Sequence, residues 1–105
     1  MTKRYDVWVE PAVHQARKRL PGRFRQRVKQ AIVALADDPR PPKSRPLDVS
    51  DLDMPPGVEL RRIRMDPWRV VYAVNDAEAW VWVLAVRKRP PYDYENLEEL
   101  LAEIE

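Results

Sequence analysis

Trp68-Arg-Val-Val-Tyr-Ala-Val74, Asn75-Asp-Ala-Glu78 and Trp80-Val-Trp-Val-Leu-Ala-Val-Arg-Lys-Arg89 are the stretch that decides the fold. Two runs rich in β-branched and aromatic residues flank a short polar turn, which predicts an antiparallel hairpin. Under strict alternation Trp80, Trp82, Leu84 and Val86 share one face of the second run. Val81, Val83 and Ala85 then share the other. A strand apolar on both faces belongs inside a sheet. The two tryptophans are therefore read as packing, in preference to a platform for stacking bases. Leu60-Arg-Arg-Ile-Arg64 lies just upstream, so strands are predicted over about 58–65, 68–74 and 79–86.

Further toward the start, residues 5–9 alternate and read as a strand. Pro11 suits a first helical position, and Val13, Ala16 and Leu20 keep a helical spacing. Pro21-Gly22 interrupts, then Phe24, Val28, Ala31, Ile32 and Leu35 form a second stripe that ends at Asp37-Asp38-Pro39. So short a joint predicts an antiparallel helical hairpin with its basic residues facing outward. Residues 39–57 contain Pro39, Pro41, Pro42, Pro46, Pro55 and Pro56 and are expected to form a long stiff loop. Leu97, Leu100, Leu101 and Ile104 give the stripe of a short acidic helix. The order β-α-α-β-β-β-α predicts an α+β fold in one domain over 1–105. Its sheet is expected to be four-stranded and mostly antiparallel, with a helical hairpin and a short C-terminal helix.

Composition removes several chemistries. Without cysteine there is no disulfide, thiolate metal site or cysteine nucleophile, and a single histidine, His14, builds no ordinary zinc cluster. No cofactor is expected. The apolar runs fall short of the ~20 residues that cross a bilayer, and Met1-Thr-Lys-Arg-Tyr-Asp-Val7 leads straight into a strand pattern. The expectation is a cytoplasmic protein with no signal peptide and no membrane partner.

The net charge of +2 conceals a segregation. Residues 95–105 carry five glutamates and no base, a charge of −5, while the rest carries 19 basic and 12 acidic residues, a charge of +7. Between Arg17 and Lys29 lie Arg17, Lys18, Arg19, Arg23, Arg25, Arg27 and Lys29 with no acid among them. A field of this sign draws polyanions. A second basic set gathers at strand ends: Arg62, Arg64 and Arg69, then Arg87, Lys88 and Arg89, with Tyr92 and Tyr94 just beyond. Arginine offers a rigid fork of donors matched to phosphate, so the convergence points to a surface for an RNA backbone. Each residue also has a plainer reading. Arg61, Arg62 and Arg64 would protect a sheet edge from aggregation, Arg69 would pair with Asp66 or Asp76, and the tyrosines would anchor the last helix.

In order and spacing these pieces resemble the RelE/ParE toxin superfamily of bacterial toxin–antitoxin systems. The resemblance covers nearly the whole chain. It runs from the opening strand through the helix ending Ala31-Ile-Val-Ala-Leu35, Asp38-Pro-Arg-Pro-Pro42, Leu60-Arg-Arg-Ile-Arg64 and Trp68-Arg-Val-Val-Tyr-Ala-Val74 to Val86-Arg-Lys-Arg89 with its trailing tyrosines. RelE-like members cut mRNA in the ribosomal A site, whereas ParE-like members poison DNA gyrase. The RelE-like reaction uses the 2′-hydroxyl as nucleophile and leaves a 2′,3′-cyclic phosphate and a 5′-hydroxyl, with no metal. The resemblance implies that Arg69 meets the transition-state phosphate and that Arg62 stands where RelE-like enzymes often have a lysine. It implies Arg89 as the basic residue ending the last strand, and Tyr94 (or Tyr92) for stacking or proton transfer. Arg64, Lys88, Arg87, Tyr92, Arg17, Arg23 and Arg27 are expected to contact RNA. Implied partners are a cognate antitoxin, through which the toxin oligomerises, and the 70S ribosome with its mRNA.

Two departures from the pattern matter. Leu60 stands where some RelE-like members have a second lysine, and an arginine at 62 is a poor proton acceptor near neutrality. Lys88 becomes a candidate base only if neighbouring cations and burial lower its pKa, so the general base is unassigned. A gyrase-directed toxin and a member that binds RNA or antitoxin without chemistry stay open as alternatives.

Overall fold

The structure, a computed structural model, describes residues 4–47, 54–65 and 68–88, with Arg87 and Lys88 described by backbone alone. It orders β1 (Asp6–Val9), α1 (Pro11–Lys18), α2 (Gly22–Ala34), β2 (Ser44–Pro46), β3 (Glu59–Met65), β4 (Trp68–Asn75) and β5 (Trp80–Lys88). The strands form one five-stranded sheet in the order β1-β5-β4-β3-β2. Only β1 and β5 pair in parallel; the other neighbours are antiparallel. The α+β class read from the sequence holds, with one strand more than expected. The predicted helix over 95–105 lies outside the described residues, as do Arg89, Tyr92 and Tyr94.

The additional strand sits inside the proline-rich stretch. Ser44, Arg45 and Pro46 pair with Ile63, Arg62 and Arg61 of β3. Three residues are too few for periodicity to register, and proline masks β-propensity. Yet Pro46 is tolerated, because β2 is the outermost strand and can forgo a donor.

The helices cover one face of the sheet. Val13 of α1, Val28 and Ile32 of α2, and Leu20 and Leu35 just beyond each helix are buried against Ile63, Met65, Val70, Tyr72, Val74, Val81, Val83 and Val86. Leu60, Val71, Ala73, Leu84 and Ala85 form a second buried cluster on the opposite face, with the half-buried Trp80 and Trp82 packed on it. The tryptophans pack as expected, their rings edge to face at 6.4 Å.

Strict alternation along β5 fails at one point. Tyr72 pairs with Val83 but Val71 pairs with Ala85, so Leu84 is an extra residue opposite the Val71/Tyr72 step. This bulge places Ala85 with Leu84 and returns Val86 to the helix-covered core, the reverse of the expected grouping. It also shifts the rest of β5 by one residue, which sets Arg87 opposite Arg69 instead of Trp68.

Candidate nucleic-acid interface

Period two divides the arginines of β3 between the two faces. Arg61 lies opposite Tyr72, on the helix-covered side, while Arg62 and Arg64 share their face with Leu60 of the other cluster. Arg64 is the register partner of Arg69, and Arg69 is the register partner of Arg87. One row across three adjacent strands thus carries an arginine on each. In the next row Arg62 pairs with Arg45 of β2 on one side and with Val71 on the other. Arg45 was not among the sequence candidates, because nothing in a proline-rich loop marks it as a strand residue facing Arg62.

Exposure grades this set. Arg64 is exposed, Arg62 half-buried, and Arg69 only 4% exposed, with its Nη1 donating to the Trp68 carbonyl at 3.1 Å. Arg45 donates to the carbonyls of Pro42 and Ser44, both at 2.8 Å, which ties its guanidinium to its own loop. The sheet therefore carries one exposed cation, one half-buried and one recessed behind them.

The remaining candidates divide in two. Arg17, Arg23 and Arg27 belong to the helical layer, on the far side of the sheet from Arg62, Arg64 and Arg69. Arg23 and Arg27 lean over the Phe24 ring at 5.3 and 5.6 Å, and Arg17 approaches the exposed His14 at 3.4 Å. The structure does not bring them onto the surface that holds the arginine row. Arg87 and Lys88 are fixed in register only, and Arg89, Tyr92 and Tyr94 fall outside the described residues.

A polar cluster occupies the opposite end of the sheet. Arg40 donates to Glu59 at 2.7 and 3.1 Å and to Asp76 at 2.8 and 3.1 Å. Tyr5 donates its hydroxyl proton to Asp76, and Arg61 donates to Glu59 at 2.8 Å and to the Ser44 hydroxyl at 2.9 and 3.2 Å. Burial pushes the Glu59 carboxyl up, but donors from Arg40 and Arg61 and their charges outweigh it and hold it below its ordinary range. The hydrogen bond to Asp76 raises the Tyr5 hydroxyl, and the same carboxylate raises Arg40 further above its already high value. Asp76, one acid considered for Arg69, is thus engaged by Arg40 and Tyr5 at the other end of β4. Every cation in this cluster has a carboxylate, so its chemistry is that of a clamp. Among the described residues no helix is long and apolar enough to cross a membrane.

Comparison with known proteins agrees with this architecture. The family model described as "ParE toxin of type II toxin-antitoxin system, parDE" matches residues 8–90. The chain belongs to this family, within the RelE/ParE superfamily, and is a toxin of a toxin–antitoxin system. Among solved structures, the archaeal RelE–RelB complex from Pyrococcus horikoshii is similar with a TM-score of 0.70 at 24% identity, covering 88% of this chain and all of that one. The RelBE2 toxin–antitoxin complex of Mycobacterium tuberculosis has a TM-score of 0.63 at 22% identity, over 82% of this chain and 99% of that one. Isolated RelE from E. coli has a TM-score of 0.56 at 20% identity, over 96% of this chain and 99% of that one. At these identities the likeness is one of fold. No curated protein matches the chain at a significant level.

Proposed function

We propose that this toxin is a ribosome-dependent endoribonuclease that cuts mRNA in the A site by metal-independent attack of the 2′-hydroxyl. The observation that carries the reading is the arginine row, Arg64 and Arg69 with Arg87 in register, backed by Arg62 and Arg45 in the next row. Exposed Arg64 and half-buried Arg62 take the RNA phosphates first. Arg69, being buried, meets the reacting phosphate once neighbouring side chains part, in a setting drier than bulk water where a fixed cation acts more strongly. There the O2′–P bond forms, the P–O5′ bond breaks, and the charge that develops on the non-bridging oxygens falls to Arg69. On the family resemblance, Arg89 adds a second cation and Tyr94 stacks on a base or protonates the leaving oxygen. The cognate antitoxin is the expected partner; two of the similar structures are complexes of a toxin with RelB.

Primer extension on mRNA held by programmed ribosomes tests this. Wild-type protein is expected to cut within the A-site codon. Arg69→Ala should abolish the cuts, and Arg64→Gln, a change at an exposed position, should reduce them at least tenfold. Cutting at the wild-type rate by both folded variants would remove the arginine row from the mechanism.

A gyrase-directed reading has two observations in its favour: the family model that matches is ParE, and Leu60 and Arg62 stand where RelE-like enzymes place lysines. Inhibition of supercoiling by purified gyrase, with ribosome-bound mRNA left intact, would select it.

A further inference from the structure

The bulge at Leu84 decides which of the two basic residues that end β5, Arg87 or Lys88, joins the arginine row. Val83 and Val86 belong to the helix-covered core, whereas Leu84 and Ala85 both belong to the cluster on the opposite face. Two successive residues on one face reverse the alternation for the rest of the strand. Unbroken alternation from Trp80 and Trp82 would place Lys88 on the face of Arg62 and Arg64, and Arg87 on the other. With the bulge the two exchange places. Arg87 is the register partner of Arg69, itself the register partner of Arg64. Lys88 is the register partner of Trp68, which pairs with Met65, and both of those pack in the helix-covered core.

We propose that Arg87, delivered by this bulge, binds the reacting phosphate beside Arg69, and that Lys88 is held out of the site and is not its general base. The proposal rests on the nuclease reading above and gives the bulge its purpose. A bulge leaves one residue of the ladder unpaired, and like charges directly opposite one another in a sheet are unfavourable. Neither the row of Arg64, Arg69 and Arg87 nor the next, with Arg45 and Arg62, has an acidic residue at a register position. Stability alone would favour the regular strand, which takes Arg87 out of that line. What the irregular one supplies is a second guanidinium on the strand next to Arg69, about 4.8 Å away across the sheet. As the O2′–P bond forms and the P–O5′ bond breaks, charge grows on two non-bridging oxygens. A planar fork of donors from each of two adjacent strands suits that pair of oxygens better than the point charge of a lysine.

The test compares Arg87→Ala, Arg87→Lys and Lys88→Ala in the full chain. In single-turnover cutting of mRNA on programmed ribosomes, Arg87→Ala should slow the reaction roughly a hundredfold, the scale of one lost transition-state donor. Arg87→Lys should recover about tenfold of that loss, because it restores the charge without the fork. Lys88→Ala should slow cutting by less than about threefold and keep the shape of the wild-type pH profile, since a lost general base would alter that shape. A second measurement needs neither ribosome nor cleavage. At low salt Arg87→Ala should raise the urea midpoint by relieving repulsion, and the gain should fade at high salt. The same variant should lose most of the stabilisation that a non-cleavable 2′-deoxy oligonucleotide gives the wild type. Cutting at the wild-type rate by folded Arg87→Ala, or an equal loss in Lys88→Ala, would overturn the proposal. So would a lower midpoint in Arg87→Ala at low salt, which would assign Arg87 to a carboxylate of the protein. If wild-type protein leaves mRNA intact but only the substitutions at Arg87 lose the oligonucleotide effect, the nuclease reading fails and the phosphate site stands.

Discussion

Arg61 and Arg62 are adjacent, equally charged and indistinguishable in composition, yet the sheet assigns them to opposite faces. Arg61, 12% exposed in its side chain, holds Glu59 and the buried Ser44 hydroxyl. Removing it leaves the buried Ser44 hydroxyl and the half-buried Glu59 carboxylate short of a charged donor, a loss of roughly 1–3 kcal/mol. Arg61→Gln is therefore expected to lower the unfolding free energy measured by urea titration by that amount while RNA affinity stays close to wild type. Arg62→Gln should do the reverse, with a stability change within about 0.5 kcal/mol and a clear loss of affinity for single-stranded RNA. The salt dependence gives a second readout, since each phosphate contact removed should lower the slope of log K against log[salt] by about 0.7. Equal effects of the two substitutions on both measurements would refute the division. The sequence marks both positions as basic and on a strand. Only the partner across the strand, Tyr72 or Val71, says which one faces the helix-covered core.

At the scale of elements, the hairpin, the helices and the internal place of β5 were legible because each rests on a repeated pattern. The paired strands Trp68–Asn75 and Trp80–Lys88 and the stripe Val28, Ile32, Leu35 need no long-range information. Two features were not legible. β2 is stabilised by its register with β3 and by hydrogen bonds from Ser44, both of which are tertiary. The bulge at Leu84 leaves an apolar run looking continuous, although it moves Val86 to the other core and Arg87 opposite Arg69. The β4–β5 turn carries a third irregularity. Ala79 has φ +55°, a left-handed conformation that costs an L-residue roughly 1–2 kcal/mol. Glycine avoids that cost but surrenders roughly 0.5–1 kcal/mol of chain entropy. Ala79→Gly is thus expected to raise stability by up to about 1 kcal/mol, seen as a higher urea midpoint at constant m-value. A lower midpoint would mean that the turn is not held in this conformation in solution.

Across the whole molecule, charge is organised along the strands. One end of the sheet gathers arginines whose proposed counter-ions are external phosphates. The other end neutralises Arg40 and Arg61 with Glu59 and Asp76 and joins the segment after α2, the start of β3 and the β4–β5 turn. Such a division lets the fold keep a cationic surface, because repulsion among cations at one end is offset by ion pairs at the other. Partial exposure limits each ion pair to the modest range of surface pairs, ~0.2–1 kcal/mol, so the clamp's strength lies in its shared members. Its pH dependence has a definite sign. The Glu59 carboxyl is held below its ordinary 4.5, so its contribution is fully present above that pH and is lost as pH falls through the folded value. Urea midpoints measured from pH 7 to pH 3 should therefore drop below about pH 4.5, and Glu59→Gln should lower the neutral-pH midpoint while flattening part of that drop. Arg40→Met should flatten it too, since it removes a donor that holds the carboxyl ionised, and should leave affinity for a non-cleavable oligonucleotide within about twofold at pH 7. If instead Arg40→Met weakened oligonucleotide binding as strongly as Arg62→Gln, the two ends would not be separable. The clamp would then belong to the RNA surface.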